Sequence, residues 1–592
     1  VLDVVAAALD DASIAAWQAR VGRAAAHLGW SERGAAWRRH RGGTLLAVAA
    51  PCDQLFLATE VNEWALCATL IERDPTRWAD LERALLAAAE RAAEDRAAGE
   101  HGTESGHATD HEAPPDPLPV IAEAAAFARF EVLAAREAMP ALRALLGAAA
   151  ERGLPYVLDE SLLTLGAGTG AANFPLDALP AVADVDLKPL HDIPTALVTG
   201  SNGKTTTVRL LAACARAHGW HTAYNCTDGV FFDDEHLASG DYSGPAGTRR
   251  VIREPRAQAA VLETARGGIL RRGIAVSRAH VAVITNISAD HFGEYGIDDL
   301  SGVADAKFVV AAVVAATGLL VLNADDPVLR ARAADVARRY GQSPPVGWFS
   351  VSPDPRSLDA HRARGASTCG VAAGHLRLHH RGIDHDLGSI AKLPLSIGGS
   401  ALYNVANMAG AALAAAALGI APDTIAAVLA RFGTRREDNP GRMMRFEVGG
   451  VTVLVDYAHN AEGLRGFLKV ATQLRSRSGR LGMLLGQAGN RRDADIEQLA
   501  DVVTEFAPDL VVIKENETQL RGRAPGEVPR ILHAALARRG LPQAALPLAG
   551  SEVEAARRAL EWAKPGDVLA LPVHSSSARA AVVAMLENRE HS

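Results

Sequence analysis

TALVTGSNGKTTTVRLL, residues 195–211, runs from an apolar stretch through a glycine-bounded turn into a helical pattern opening near Lys204. A strand feeding such a turn and a helix start forms a phosphate cradle. Gly200 and Gly203 let backbone N–H groups approach phosphate oxygens, and the helix N-terminus adds a favourable dipole. Ser201 and Asn202 lie between the glycines, and Lys204 supplies a cation for the terminal phosphates of a nucleotide such as ATP. Thr205, followed by Thr206, offers a hydroxyl to Mg²⁺. The generic GxxxxGK[ST] pattern would need Gly where Val198 stands. The reading therefore rests on the strand before and the helix after, which speak against an incidental Gly-rich turn with a stray lysine.

Outward from this stretch, short apolar runs alternate with helical segments: AAVLETA (259–265), HVAVITN (280–286) and LLVLNADD (319–326). That rhythm predicts a mostly parallel sheet covered by helices. Residues 345–400 are strand-like and Gly-punctuated, a β-rich appendage to that sheet. His375, His379, His380 and His385 within them read as exposed hairpin residues rather than as a metal site. After Pro440 the alternation resumes with VTVLVDYAHN (451–460), RLGMLLGQAG (480–489), PDLVVIKEN (508–516) and DVLALPVHSSS (567–577). The expectation is a multidomain α/β protein: an α+β domain at 1–98, a linker at 99–117, a helical region and connection at 118–190, a central P-loop ATP-binding domain at 191–434, and a Rossmann-like α/β domain at 435–592. In the third of these the Ala-rich helical pattern runs from 118 to about 170, before a Pro-punctuated connection.

The 592 residues exceed what one hydrophobic core supports, which fits this division. A formal charge of −8 gives no basic field to capture a polyanion, so nucleic acid is not an expected partner. Cys52, Cys67, Cys214, Cys226 and Cys369 form no close ligand pair or disulfide framework, which suits a reducing cytosol. The longest apolar stretch, 308–322, is shorter than the roughly 20 residues of a membrane helix; it reads as a helix end followed by a buried strand. The opening VLDVVAAALDD lacks the basic start and cleavage site of a signal peptide, so a cytoplasmic protein without a membrane partner is expected. In the linker, His101, His107 and His111 beside Asp110 and Glu112 have metal-ligand chemistry. A flexible segment must lose chain entropy to close a site, and a solvated linker is the expectation.

Other motifs follow the phosphate loop in order. LETARGG places Glu263 at a strand end, TNISADH places Asn286, Asp290 and His291 after the next strand, and ADAK carries Lys307. YNVANMAGA carries Asn404 and Asn407, NPGRM carries Arg442, and VDYAHN carries Asp456, Tyr457, His459 and Asn460. GSNGKTT and this series resemble the Mur ligase superfamily, whose members make amides with ATP. The resemblance implies that Glu263 binds Mg²⁺, with Thr205 and His291 as further candidate ligands, and that Lys307 stands at the position of a carbamylated lysine. It places Asn404 and Asn407 near adenine, and Arg442, Asp456 and His459 near the reacting groups, with Arg442 and Asp456 also among the nucleotide contacts. In chemical terms, a carboxylate attacks the γ-phosphate to form an acyl phosphate, a step needing charge neutralisation by Lys204 and Mg²⁺. An amine then displaces phosphate.

TDGVFFDDEHLASGDYSGPAGTRRVIREP (227–255), NRRDADI (490–496) and IKENETQLRGRAPGE (513–527) resemble cyanophycin synthetases, which build a poly-aspartate backbone with Arg branches. The likeness covers about 191–585. ALRALLGAAAERGLPYVLDESLLTLGAG (141–168) is similar to the entry into their ATP-grasp module, yet only about 20 residues separate Gly170 from His191, against on the order of 200 for such a domain. One ATP site remains. The resemblance is therefore to the second type, which joins preformed β-Asp-Arg dipeptides, with a small peptide or growing polyamide as partner and a homo-oligomer as the expected assembly. Asn490 stands where an acid is expected, and His574 and Ser575 where paired aspartates are expected; either alters the pocket for the amine. Arg491, Arg492, Arg521 and Arg523 are candidates for binding substrate carboxylates, or solvated loop charges. Two alternatives stay open: a ligase adding one amino acid to another carboxylate, and a non-catalytic nucleotide-binding subunit.

Overall fold

The computed structural model describes residues 1–5, 9–30, 34–40, 42–80, 83, 122–289, 292–341, 344–352, 354 and 356–590. The predicted linker, with its histidines, lies outside them, as do Asp290 and His291. The chain forms two compact units: Val1–Ala148 with Leu179–Asp184, and Ala149–Ala178 with Val185–Ser592.

The first unit holds a three-stranded antiparallel sheet, Leu2–Val5, Gly43–Val48 and Ala35–His40, with helices Asp11–His27 and Leu55–Arg73. Its aromatic core buries Trp17 and Trp64, and the Trp17 indole N–H donates to Asn62 Oδ1 at 3.0 Å. A buried Trp needs such a partner for its one polar atom.

The expected helical run from 118 stops at Glu151. Gly153 takes φ +63°, Pro155 follows, and Tyr156–Leu158, Leu162–Leu165 and Ala172–Pro175 form a three-stranded antiparallel sheet where the sequence reading has helix and connection. The reason is local: Gly-X-Pro stops the helix, and the Asp159 carboxylate accepts the Ser161 and Leu162 N–H groups to make the first hairpin turn. Arg253 then ties this sheet down through Thr164 and Asp159.

An 11-stranded sheet forms the body of the second unit. In spatial order its strands are Glu235–Ser239, Gly229–Phe232, Thr222–Cys226, Ala259–Glu263, Thr195–Thr199, Ala279–Ile284, Val314–Asn323, Val346–Ser350, Thr368–Ala372, His375–His380 and Ile383–Ser389. The seven from Thr222–Cys226 to Thr368–Ala372 run parallel, and antiparallel hairpins finish both edges. The 345–400 region is thus continuous with the main sheet. The helix-to-strand reading of 308–322 matches the helix Leu300–Phe308 and the strand Val314–Asn323, joined by a 3-10 turn. One face is covered by helices Lys204–His218 and Leu402–Ala417, whose small side chains let them sit close: Gly410 lies on the Phe349 ring, 3.3 Å from where a Cβ would stand.

A second, six-stranded sheet runs Met444–Val448, Val451–Asp456, Val568–Pro572, Leu481–Leu485, Leu510–Lys514, Leu548–Ala549, parallel but for its first strand. Hydrophobic clusters fill both of its faces. All five cysteines are free, and no helix among the described residues is long and apolar enough to cross a membrane.

Candidate active site

In parallel sheets ligands bind beyond the carboxyl ends of the strands, and there the candidate residues gather. Strand Thr195–Thr199 delivers the loop 200–203, and its helix starts at Lys204 as expected. Gly200 takes φ +146° and a Cβ there would stand 1.8 Å from Thr285 Oγ1; Gly203 takes φ +83° and its Cβ would stand 2.1 Å from Asn407 Oδ1. Neither position admits another residue without rearrangement. Asn286 shapes the loop, accepting from Asn202 N–H at 2.9 Å and donating to Asn202 O at 3.1 Å. The first intrahelical bond is Thr207 N–H to Gly203 O, so the amides of Lys204, Thr205 and Thr206 have no acceptor inside the helix and face the loop as an anion cradle. Lys204 Nζ folds over the loop, donating to Gly200 O and Ser201 O at 3.1 Å each.

Glu263, fully buried at the end of its strand, accepts from Thr205 Oγ1 at 2.8 Å and from Thr227 Oγ1 at 3.0 Å. Burial pushes its carboxyl above the usual range, against the pull of the Lys204 charge and the Thr205 hydrogen bond. This donor set of one carboxylate and two hydroxyls beside a phosphate cradle fits a hard divalent ion. Among the described residues no three His, Cys, Asp or Glu converge on an ion; Mg²⁺ commonly takes one or two carboxylates and completes its octahedron with phosphate and water. Lys307, 4% exposed, donates from Nζ to Gly200 O at 2.8 Å, which sets it on the back of the loop.

The C-terminal sheet supplies the facing wall. Asp456 ends its strand and accepts from Met443 and Ala458 N–H groups at 2.7 and 2.8 Å. Burial raises its pKa against the pull of Arg442. Arg442 lies 4.5 Å over the Tyr457 ring; burial opposes its charge, but Asp228, Asp456 and Tyr457 outweigh that and hold it cationic. Asn460 caps the helix Ala461–Leu474 through Gly463 N–H and donates to Asn202 Oδ1 at 2.9 Å. The phosphate loop is thereby hydrogen-bonded to the C-terminal domain. Asp228 makes a second tie, accepting from Arg209 of the loop helix at 2.8 Å and from Arg579 at 2.5 Å.

These elements enclose a cavity of about 450 Å³, within the range of small-ligand sites. The loop, Glu263 and Thr227 line one end; Phe349, Val351 and Leu402 with Asn404 and Asn407 line an apolar part; Arg442, Asp456, His459, Asn516 and His574 line the far wall. Asn404 and Asn407 are themselves buried and joined by a 3.2 Å bond. The Tyr403 hydroxyl and Asn516 Oδ1, on residues of this lining, are buried with no hydrogen-bond partner among the described residues. Buried orphans of this kind are costly and point to a polar ligand.

The four arginines divide. Arg491 and Arg521 line the cavity, whereas Arg492 pairs with Asp495 and Arg523 with Asp493 and Glu527. Asn490 donates to Glu294 at 2.6 Å, and Glu294 also receives Arg266 and Arg491. The hairpin histidines are half-buried; His375 and His379 pair with Asp386 and Asp384. Thr227, Asp228, Asp241 and Glu294 carry no role in the sequence reading; Thr227, Asp228 and Glu294 meet partners distant in the chain, while Asp241 is engaged locally by Ser243. The local signal for the first two is the TDG turn, where Asp228 follows the buried strand end Cys226.

His574 is buried beside Lys514, Glu552 and Asn516, with Nε2 3.0 Å from Ala458 O and Nδ1 3.1 Å from Asn516 Nδ2. Nε2–H therefore donates and Nδ1 accepts from the amide, which fixes a neutral tautomer. Burial, with Lys514 alongside, pushes its pKa down to about 3. A histidine whose folded pKa lies below its unfolded value costs stability as pH falls below about 6.5 towards the folded value. Between pH 7.5 and pH 5, the wild type is expected to lose on the order of 2 kcal/mol more than His574→Gln. Urea midpoints of the two proteins at both pH values check this, and equal losses contradict it.

Residues 198–415 match the family model of the Mur ligase middle domain, and residues 441–571 that of the Mur ligase glutamate ligase domain. By these two consecutive domains the chain belongs to the Mur ligases. It is 34% identical over 387 residues to the cyanophycin synthetase of Synechocystis sp., covering 65% of this chain and 43% of that protein. The chain thus spans less than half the length of that relative. It is 28% identical over 407 residues to the UDP-N-acetylmuramoyl-L-alanyl-D-glutamate--2,6-diaminopimelate ligase of Geobacter metallireducens, covering 65% of this chain and 74% of that one. Among solved structures, a bifunctional folylpolyglutamate synthase/dihydrofolate synthase aligns over 67% of this chain and 89% of its own at 19% identity and TM-score 0.48, a loose likeness from which no chemistry follows.

Proposed function

We propose that the protein is an ATP-dependent amide ligase that polymerises β-Asp-Arg dipeptide or a close relative, in a reducing cytoplasm. The observation that carries this is the composition of one cavity: a phosphate cradle with Lys204, Thr205 and Glu263 at one end and Arg442, Asp456 and His459 of the C-terminal domain across from it. In this reading Gly200, Ser201, Asn202, Gly203 and Thr206 wrap the phosphates, and Asn404 and Asn407 border the base. Thr205 and Glu263 would hold Mg²⁺, which would supply charge neutralisation for phosphoryl transfer. Lys204 compensates the charge on the transferring phosphoryl group.

The acceptor carboxylate oxygen bonds to the γ-phosphorus as the bond to ADP breaks. The amine nitrogen then bonds to the acyl carbon, and phosphate leaves with the former carboxylate oxygen. The amine must lose a proton in the second step. His459 lies beside the junction of loop and C-terminal wall and Asp456 in the same lining, and we assign these two to orienting the amine and taking its proton. Making the polymer from free amino acids would need two different carboxylates activated in two geometries, and alignment tolerates only fractions of an ångström. The similarity to cyanophycin synthetases supports the polymer; with only about 20 residues between Gly170 and His191, against on the order of 200 for an ATP-grasp domain, the side-chain amide is left to be made elsewhere.

Incubation with ATP and Mg²⁺ and either free aspartate plus arginine or β-Asp-Arg, followed by mass spectrometry, tests the substrate. The dipeptide is expected to give a ladder spaced by one dipeptide unit, and the free amino acids no polymer. Polymer from the free amino acids, or ATP turnover only with an unrelated amine, contradicts the reading.

A further inference from the structure

A second groove of about 890 Å³ opens beside the first cavity and shares part of its lining, including Ser201, Lys204, Asp241, Ser243, His459 and Arg521. The two spaces therefore meet at the phosphate loop. One contains the base-side residues Asn404 and Asn407; the other contains neither, and runs between the loops 242–247 and 265–268. Those loops pack on glycine: a Cβ on Gly268 would stand 2.9 Å from Pro245 Cδ and 3.1 Å from Gly244 Cα, so the floor is backbone rather than side chain. A chain can lie close on such a floor.

The groove's charge is one-sided. Among the described residues lining it are Lys204, Lys307, Arg266, Arg271, Arg272 and Arg521, against the carboxylates of Asp241 and Glu294. Glu294 is already engaged by Arg266, Arg491 and Asn490, and Asp241 accepts both the N–H and the hydroxyl of Ser243. Three cations have no ion pair with an acid among the described residues. Arg271 donates only to Gly267 O at 3.1 Å and Arg521 only to Asn490 Oδ1 at 3.3 Å, and Arg272 has no carboxylate within an ion-pair distance among the described residues. All three are exposed at the groove, and Arg521 holds φ +43°, a left-handed backbone that non-glycine residues rarely adopt. Guanidinium groups left without acids along a groove that ends at a phosphate cradle match a ligand carrying several carboxylates.

We infer that this groove holds the acceptor chain, and that Arg271, Arg272 and Arg521 pair with carboxylates borne on units behind the reacting terminus. The inference rests on the proposed polyamide ligase activity and adds to it a length-sensing subsite. In a β-Asp-Arg chain each arginine branch keeps both its α-carboxylate and its guanidinium, so every unit presents one anion, several bonds away from one cation, and it is the carboxylates that the groove arginines would meet. A single dipeptide places one carboxylate at the loop and reaches few of the arginines. A longer acceptor engages them together and gains by multivalence.

The experiment compares kcat/KM for acceptors of one, two and four β-Asp-Arg units in the wild type, in Arg271→Ala/Arg272→Ala and in Arg272→Glu. The wild type is expected to favour four units over one by about tenfold, the effect of one or two charge-assisted pairs. The variants are expected to lose most of that preference, and four-unit acceptors with amidated branch carboxylates to lose it on the wild type. Salt should erode the preference as well, because the pairs are exposed. A preference unchanged in both variants, or unaffected by amidation, overturns the subsite while leaving the ligase reading standing. A wild type that forms no amide with any of these acceptors overturns both.

Discussion

Lys204→Ala is expected to lower amide synthesis by about 10³-fold or more, a loss of several kcal/mol of transition-state stabilisation. The side chain stands where the two cavities meet and donates to Gly200 O and Ser201 O. The helix and core around it have anchors of their own. The helix it starts is anchored by Thr207 N–H to Gly203 O and by the buried Val208, Leu211 and Ala212 in the core. The variant should therefore keep the wild-type circular dichroism spectrum and melting temperature while losing turnover. Retained turnover would remove the loop from the mechanism; a collapsed spectrum would show a structural role instead.

Glu263→Gln is expected to lower turnover about 10²- to 10³-fold and to raise the Mg²⁺ concentration for half-maximal activity. The amide conserves shape and can still pair with Thr205 and Thr227, so the change isolates charge at a position with no exposure to solvent. Because burial disfavours the ionised Glu263 in the protein alone, the neutral substitute should not reduce stability. A melting temperature equal to or above that of the wild type, together with the shifted Mg²⁺ response, supports a metal-binding carboxylate. An unshifted Mg²⁺ response contradicts that role.

What the sequence makes legible here is mostly local. The strand, turn and helix around Gly200–Lys204 are specified within 17 residues by apolar run, glycines and helix start, and the structure reproduces that order. Glu263 and Asp456 end strands because the apolar runs before them end there. The small sheet at 156–175 is not legible, since its strands are of three and four residues and its turn is held by one aspartate carboxylate. Nor are the ties between the domains. Asp228 meets Arg579 across 351 positions and Asn202 meets Asn460 across 258, and no periodicity or spacing encodes such pairs. The arginine cluster shows the same limit from the other side: two pairs close in sequence, Arg491 with Arg492 and Arg521 with Arg523, each divide between the cavity wall and local ion pairs because Asp493, Asp495 and Glu527 lie within reach of only one member of each.

The most direct test of the account follows one oxygen atom. An acceptor peptide labelled with ¹⁸O in its terminal carboxylate is incubated with ATP, Mg²⁺ and β-Asp-Arg, and the released phosphate and nucleotide are weighed by mass spectrometry. Activation of the carboxylate by the γ-phosphoryl group predicts ADP as the nucleotide product and one ¹⁸O in the phosphate for each amide bond formed. Label in AMP, or amide formation with no label in phosphate, would contradict it.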